Sequence, residues 1–65
     1  MKILVNGAWR DTQFAELARA LEELGYGGAV VSTALNGEFV AAERRGETAL
    51  ADGDRLEVLA PMQGG

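Results

Sequence analysis

The sequence predicts a two-layer α+β domain in which one helix covers one face of a small sheet. Three observations predict it. The stretch "DTQFAELARALEELG" carries apolar residues at helical spacing, whereas "MKILV", "VVSTAL", "EFVA" and "LEVLA" alternate or are rich in β-branched residues. Two Asn-Gly dipeptides, Asn6-Gly7 and Asn36-Gly37, each stand between two strand-like runs. Asn-Gly is the strongest short hairpin signal, because both central positions of a type I′ turn need positive φ. Finally, 65 residues leave room for one domain, and a single amphipathic helix can cover only one face of its sheet.

Each element follows in order. "MKILV" places Met1, Ile3 and Val5 on one face and Lys2 and Leu4 on the other. After the Asn6-Gly7 turn, "AWR" returns as a short second strand. The helix takes Asp11 or Thr12 as its cap and Gly25 as its left-handed stop. Phe14, Leu17, Ala18, Leu21 and Leu24 make its core stripe. Glu22 and Glu23 carry the wrong sign for a helix C-terminus and read as a wet face. "YGGA" is a loop, "VVSTAL" the third strand, and Asn36-Gly37 leads into "EFVA". "ERRGETAL" is irregular, with a short turn. "ADGDR" is a tight turn before the last strand, "LEVLA", in which Leu56 and Val58 face one side and Glu57 and Leu59 the other. The expectation is a mixed sheet of four to five strands over residues 1–60, with residues 61–65 as a flexible tail ending in Gly-Gly.

Composition excludes several functions. There is no cysteine and no histidine, hence no disulfide, no Cys/His zinc site and no thiol nucleophile. The lack of cysteine fits a reducing compartment. Six basic against ten acidic residues give a net charge of −4. That argues against nucleic acid, whose binders show a basic stripe, and against an anionic membrane surface. It favours protein partners with basic patches. "MKILVNG" is no signal peptide, and no run approaches membrane-spanning length. A cytoplasmic protein, monomeric when free, is expected.

The chemical inventory is short. Glu43/Glu47 and Asp52/Asp54 are the conceivable acid pairs, but Asp52-Gly53-Asp54 is explained more simply as a turn. Arg44-Arg45 offers a small anion or partner contact, against the simpler reading of a solvated loop pair. Gly25, Gly27 and Gly28 follow a helix instead of opening one, so they form no phosphate cradle. With no metal site and no self-contained active site expected, the protein is not expected to be an enzyme.

The tail remains. Pro61 lacks an N–H and ends the ladder after "LEVLA", leaving Met62, Gln63, Gly64 and Gly65 to project. At this glycine content, two glycines fall on the last two positions by chance about 2% of the time, so the tail reads as a working part. Glycine suits a narrow slot that any Cβ would foul. What such a tail delivers is an α-carboxylate, ionised at neutral pH because its reference pKa is ~3.5. A carboxylate is a poor electrophile. To carry anything it must become an acyl-adenylate, made from ATP by another protein. A sulfur donor would then leave a thiocarboxylate, and an amine an isopeptide.

Read together, "MKILVNG", "TQFAELARAL", "ALNGEFV", "LADGDRLEVL" and the terminal "MQGG" resemble the ubiquitin-like, β-grasp sulfur carrier proteins, and most of all the ThiS type that serves thiamine biosynthesis. The resemblance implies a β-grasp fold with the first and last strands adjacent and parallel. It implies that the Gly65 carboxylate is adenylated by an E1-like enzyme using ATP and magnesium, with no cofactor held by the carrier itself. A cysteine desulfurase or equivalent donor would supply the sulfur, and thiazole synthase would take it. Pro61, Met62, Gln63 and Gly64 would then be read by these partners. One departure is "AWRDT", short for the family, which suggests a clipped second strand. The alternatives are the small subunit of molybdopterin synthase, another thiocarboxylate carrier, and a β-grasp interaction module with an idle tail.

The hairpin also suggests a partner surface. A two-residue turn at Asn6-Gly7 pairs Val5 with Ala8 and Leu4 with Trp9, and paired residues share a face. Leu4, Trp9 and Leu59 are then expected as one apolar patch on the open face, with Trp9 as anchor. A register shifted by one would bury Trp9 instead.

Overall fold

The computed structural model describes residues 1–60; the tail expected at 61–65 lies outside the described residues. Five strands and one α-helix follow in the order β1 (Lys2–Val5), β2 (Ala8–Asp11), α1 (Leu17–Glu23), β3 (Ser32–Leu35), β4 (Glu38–Val40) and β5 (Arg55–Leu59), with a 3₁₀ helix over Ala42–Glu47 before β5. They form one mixed sheet in the order β2-β1-β5-β3-β4. The first and last strands are parallel neighbours at its centre, and every other pairing is antiparallel. This is the β-grasp arrangement.

Both Asn-Gly pairs turn as their sequence demands. Asn6 and Asn36 sit at φ 50° and 51°, and the glycine after each at 86°. Their tight turns set the hairpin registers Val5↔Ala8 and Leu35↔Glu38. The second strand is not clipped, since all four of its residues pair with β1. The third strand starts at Ser32, two residues later than the sequence suggests, and Val30 is exposed.

The helix is where expectation and structure part most. It begins at Leu17 with Glu16 as a cap that makes no side-chain bond, so neither Asp11 nor Thr12 caps it. The reason lies far away in sequence. Leu17 N–H donates to the Thr48 carbonyl at 2.9 Å, and Leu50 N–H donates to the Ala15 carbonyl at 2.8 Å. This bridge holds Glu16 extended, at φ −106° and ψ 138°, and no helix can form through it. The core stripe shifts accordingly. Leu17, Ala20 and Leu21 are buried, Leu24 and Ala18 are half-buried, and Phe14 lies before the helix under the Arg19 guanidinium. The stop is as expected. Gly25 N–H bonds the Glu22 carbonyl and Tyr26 N–H the Leu21 carbonyl, with Gly25 at φ 101°, which is the Schellman pattern.

Ile3, Val5, Leu17, Ala20, Leu21, Leu50, Leu56 and Val58 form the core between helix and sheet. Two polar side chains join it, each with partners. Thr33 Oγ1 donates to the Val40 carbonyl and accepts from Arg45 Nε, while Arg45 also donates to the Val31 carbonyl. Arg45 is therefore structural and not a solvated neighbour of Arg44, which pairs at the surface with Glu47. Thr12 Oγ1 donates to the Glu23 carboxylate, which also accepts from Gln13 N–H. Glu23 is thus no idle wet residue: it secures the segment between β2 and the helix. Glu23→Ala is expected to cost about 1–2 kcal/mol in urea denaturation, since it strips the partner from a buried hydroxyl. Glu22→Ala, on the exposed face, should stay within about 0.5 kcal/mol.

Candidate functional site

Because paired residues share a face, the registers sort the sheet without ambiguity. Ile3, Val5, Thr33, Leu35, Leu56 and Val58 look toward the helix. The opposite face carries Trp9 on β2, Leu4 on β1, Arg55, Glu57 and Leu59 on β5, Ser32 and Ala34 on β3, and Phe39 on β4. No helix covers it.

Its apolar residues fall at two ends. Trp9, 58% exposed, lies directly across from half-buried Leu4, in a shallow depression with Lys2, Asp52 and Gly53. Leu59, 69% exposed, shares their face but not their neighbourhood. Leu4 pairs with Arg55, and Leu59 stands four residues further along β5. At ~3.3 Å per residue that separates them by ~13 Å along the strand, with Arg55 and Glu57 between. Leu59 instead joins Phe39, 73% exposed, across Ser32 and Ala34, and these line a second groove with Glu57. The single patch expected of Leu4, Trp9 and Leu59 is therefore two. Phe39 is missing from the sequence expectation although its signal is present: the Asn36-Gly37 turn pairs Ala34 with Phe39 just as Asn6-Gly7 pairs Leu4 with Trp9.

The groove lined by Phe39 and Leu59 adjoins the root of the tail. β5 ends at Leu59, opposite Ser32, and exposed Ala60 is the last described residue. Pro61, Met62, Gln63, Gly64 and Gly65 follow and lie outside the described residues. The Asp52-Gly53-Asp54 stretch is a turn, with Gly53 at φ 89°, Asp52 accepting from Lys2 N–H and Asp54 from Ala51 N–H. Among the described residues no three carboxylates gather into a cation site, and no helix is long and apolar enough to cross a membrane.

Comparison with protein families supplies the decisive observation: the model of the ThiS family matches residues 3–65. The chain belongs to the ThiS family. It is similar to the thiamine biosynthesis protein (ThiS) of Geobacter metallireducens, whose crystal structure shares 33% identity at a TM-score of 0.82, with 100% of each chain covered. The solution structure of a thiamine biosynthesis protein from the same organism gives 32% identity and a TM-score of 0.78, covering 100% of this chain and 88% of that one. Comparison with curated proteins gives no match. ThiS proteins are ubiquitin-like sulfur carriers, and the sheet order and central parallel pair described above are those of their β-grasp fold.

Proposed function

We propose that this protein carries sulfur on its C-terminal glycine for thiamine biosynthesis. The observation that carries the reading is the reach of the family match, which runs to Gly65 and so includes "MQGG". In the first step a Gly65 carboxylate oxygen attacks the α-phosphorus of ATP in an E1-like enzyme, and pyrophosphate leaves. Magnesium there offsets the charge on the phosphates. The terminal sulfur of a persulfide, on a cysteine desulfurase or similar donor, then attacks the acyl carbon, and AMP leaves with one of the original carboxylate oxygens. A thiol next cleaves the S–S bond of the resulting acyl disulfide, forming a disulfide with the donor's sulfur. The product is a thiocarboxylate, whose sulfur thiazole synthase takes. The carrier itself is a cosubstrate and not a catalyst. With no cysteine to oxidise, it suits a reducing cytoplasm.

Docking falls to the open face of the sheet, and its two apolar ends supply separate contacts. Leu59 and Phe39, beside the tail root, face the adenylating enzyme while Pro61, Met62, Gln63 and Gly64 enter its slot. Leu59→Ser and Phe39→Ser are each expected to raise the KM of adenylation about tenfold. Trp9→Ala is expected to weaken binding to the adenylating enzyme or to thiazole synthase; full binding to both would remove Trp9 and Leu4 from the surface.

The deciding experiment is intact mass after incubation with ATP, magnesium, an E1-like enzyme and a sulfur source. One oxygen replaced by sulfur is the expected shift. Adding thiazole synthase and its substrates then separates thiamine use from molybdopterin use. No shift, with an enzyme active on another carrier, would favour the interaction-module reading.

A further inference from the structure

Strand β5 outlasts its neighbour β1. The last ladder pair between them is Val5↔Leu56, after which β1 turns away at Asn6. β5 continues through Glu57, Val58 and Leu59 to the root of the tail. On this flank no strand of the described residues pairs with the backbone of Val58, and buried backbone groups need partners. The Asn6 side chain provides them. Its Oδ1 accepts from Val58 N–H at 2.8 Å, and its Nδ2 donates to the Val58 carbonyl at 3.1 Å. The carboxamide imitates a peptide group and adds one rung beyond the end of β1.

The second hairpin turn provides a natural control. Asn36 uses its N–H and its Oδ1 to bond the carbonyl and N–H of Arg55, at 2.7 and 2.9 Å. It holds the beginning of β5, and Asn6 holds the end.

We propose that Asn6 is a positioning residue for the tail: its carboxamide fixes Val58 on the β1 flank, so that the chain leaves the sheet at Ala60 from one place and in one direction. This rests on the carrier reading above. Without that rung the end of β5 is held from one flank alone, by the Ser32↔Leu59 pair. An extended tail of five residues reaches ~16 Å, so even a small pivot there enlarges the volume that the terminal carboxylate searches. Its effective concentration at a partner's reaction centre falls accordingly. Asn6 also lines the groove of Phe39 and Leu59, but its carboxamide is engaged with Val58, so the apolar docking contacts of Phe39 and Leu59 stay in place.

The test compares Asn6→Gly with Asn36→Gly. Glycine accepts positive φ, so each variant keeps its turn and loses only the carboxamide. Adenylation by the E1-like enzyme is followed with ATP and magnesium, and amide exchange is followed at Val58. Asn6→Gly is expected to lower kcat about three- to tenfold with KM within about twofold, and to speed Val58 exchange about tenfold. Asn36→Gly is expected to leave kcat within about twofold even where it lowers global stability as much. Equal kcat losses in both variants would reduce Asn6 to a structural residue, and wild-type kcat or undiminished Val58 protection in Asn6→Gly would overturn the proposal. Failure of the unmodified protein to be adenylated would instead sink the carrier reading; Val58 exchange would still decide whether Asn6 holds the strand.

Discussion

Deleting Gly65 is expected to abolish sulfur loading completely, with no change in melting temperature. The truncated chain still ends in a glycine carboxylate, that of Gly64, so its chemistry is intact and only its reach changes. One residue is up to ~3.6 Å. Misplacement of a reacting group by ~1 Å can already cost about a hundredfold, so a carboxylate one residue short should give no thiocarboxylate mass at all. Gly65→Ala separates length from width, since it keeps the reach and adds a Cβ. A narrow slot predicts a loss of about a hundredfold or more for that variant as well. Thermal stability should not move, because the described core ends at Val58. Sulfur gained by the truncated chain would mean that the partner's slot accepts a tail one residue shorter and that reach is not what selects Gly65.

Leu56→Ala is the substitution expected to damage the fold most. Leu56 is 0% exposed on the central strand, with Val5 paired on one side and Leu35 on the other. Neighbours fixed in two ladders cannot collapse into the space left, so the loss belongs at about 3–4 kcal/mol, in the middle of the range for buried leucines. A domain this small holds about 3–10 kcal/mol in all. At about 4–8 °C per kcal/mol, the melting temperature should fall by roughly 12–32 °C. Leu59→Ala, one position past the core residue Val58, on the opposite face and 69% exposed, should stay within about 0.5 kcal/mol. Urea titration of the two variants reads both numbers. A loss under ~1 kcal/mol for Leu56→Ala would mean that the sheet can repack around the gap.

What the sequence reveals of this protein is what short-range chemistry decides. Asn6-Gly7 and Asn36-Gly37 specify turn type, turn type specifies register, and register assigns every residue of both hairpins to a face. Trp9 is legible for that reason, and Phe39 equally so. Gly25 announces the end of the helix in the same local way. The start of the helix is not local. Residues 12–16 have a serviceable helical pattern, and the pairing of Ala15 and Leu17 with Leu50 and Thr48 holds Glu16 extended and keeps them out of the helix. Likewise the stagger of β5 against β1 depends on how two strands about fifty residues apart settle. Parity puts Leu59 on the right face, but parity is blind to the displacement that parts it from Leu4 and Trp9. Arg45 and Glu23 look like surface charges in sequence, and only the packed chain gives them Thr33 and Thr12 to bond.

The central parallel pair also dictates an order of assembly. The two hairpins, β1–β2 and β3–β4, close over short loops and form early, yet a lone two-stranded hairpin is marginal in water. β5 lies between them and, among the described residues, joins the two halves into one sheet. Its arrival closes a long loop, the slow kind of event in folding. A chain halted during synthesis before Arg55 would thus hold two unjoined hairpins and no folded face to offer a partner. The strand that joins the sheet is the strand that leads into the tail, so any molecule that presents the complete open face has already incorporated β5.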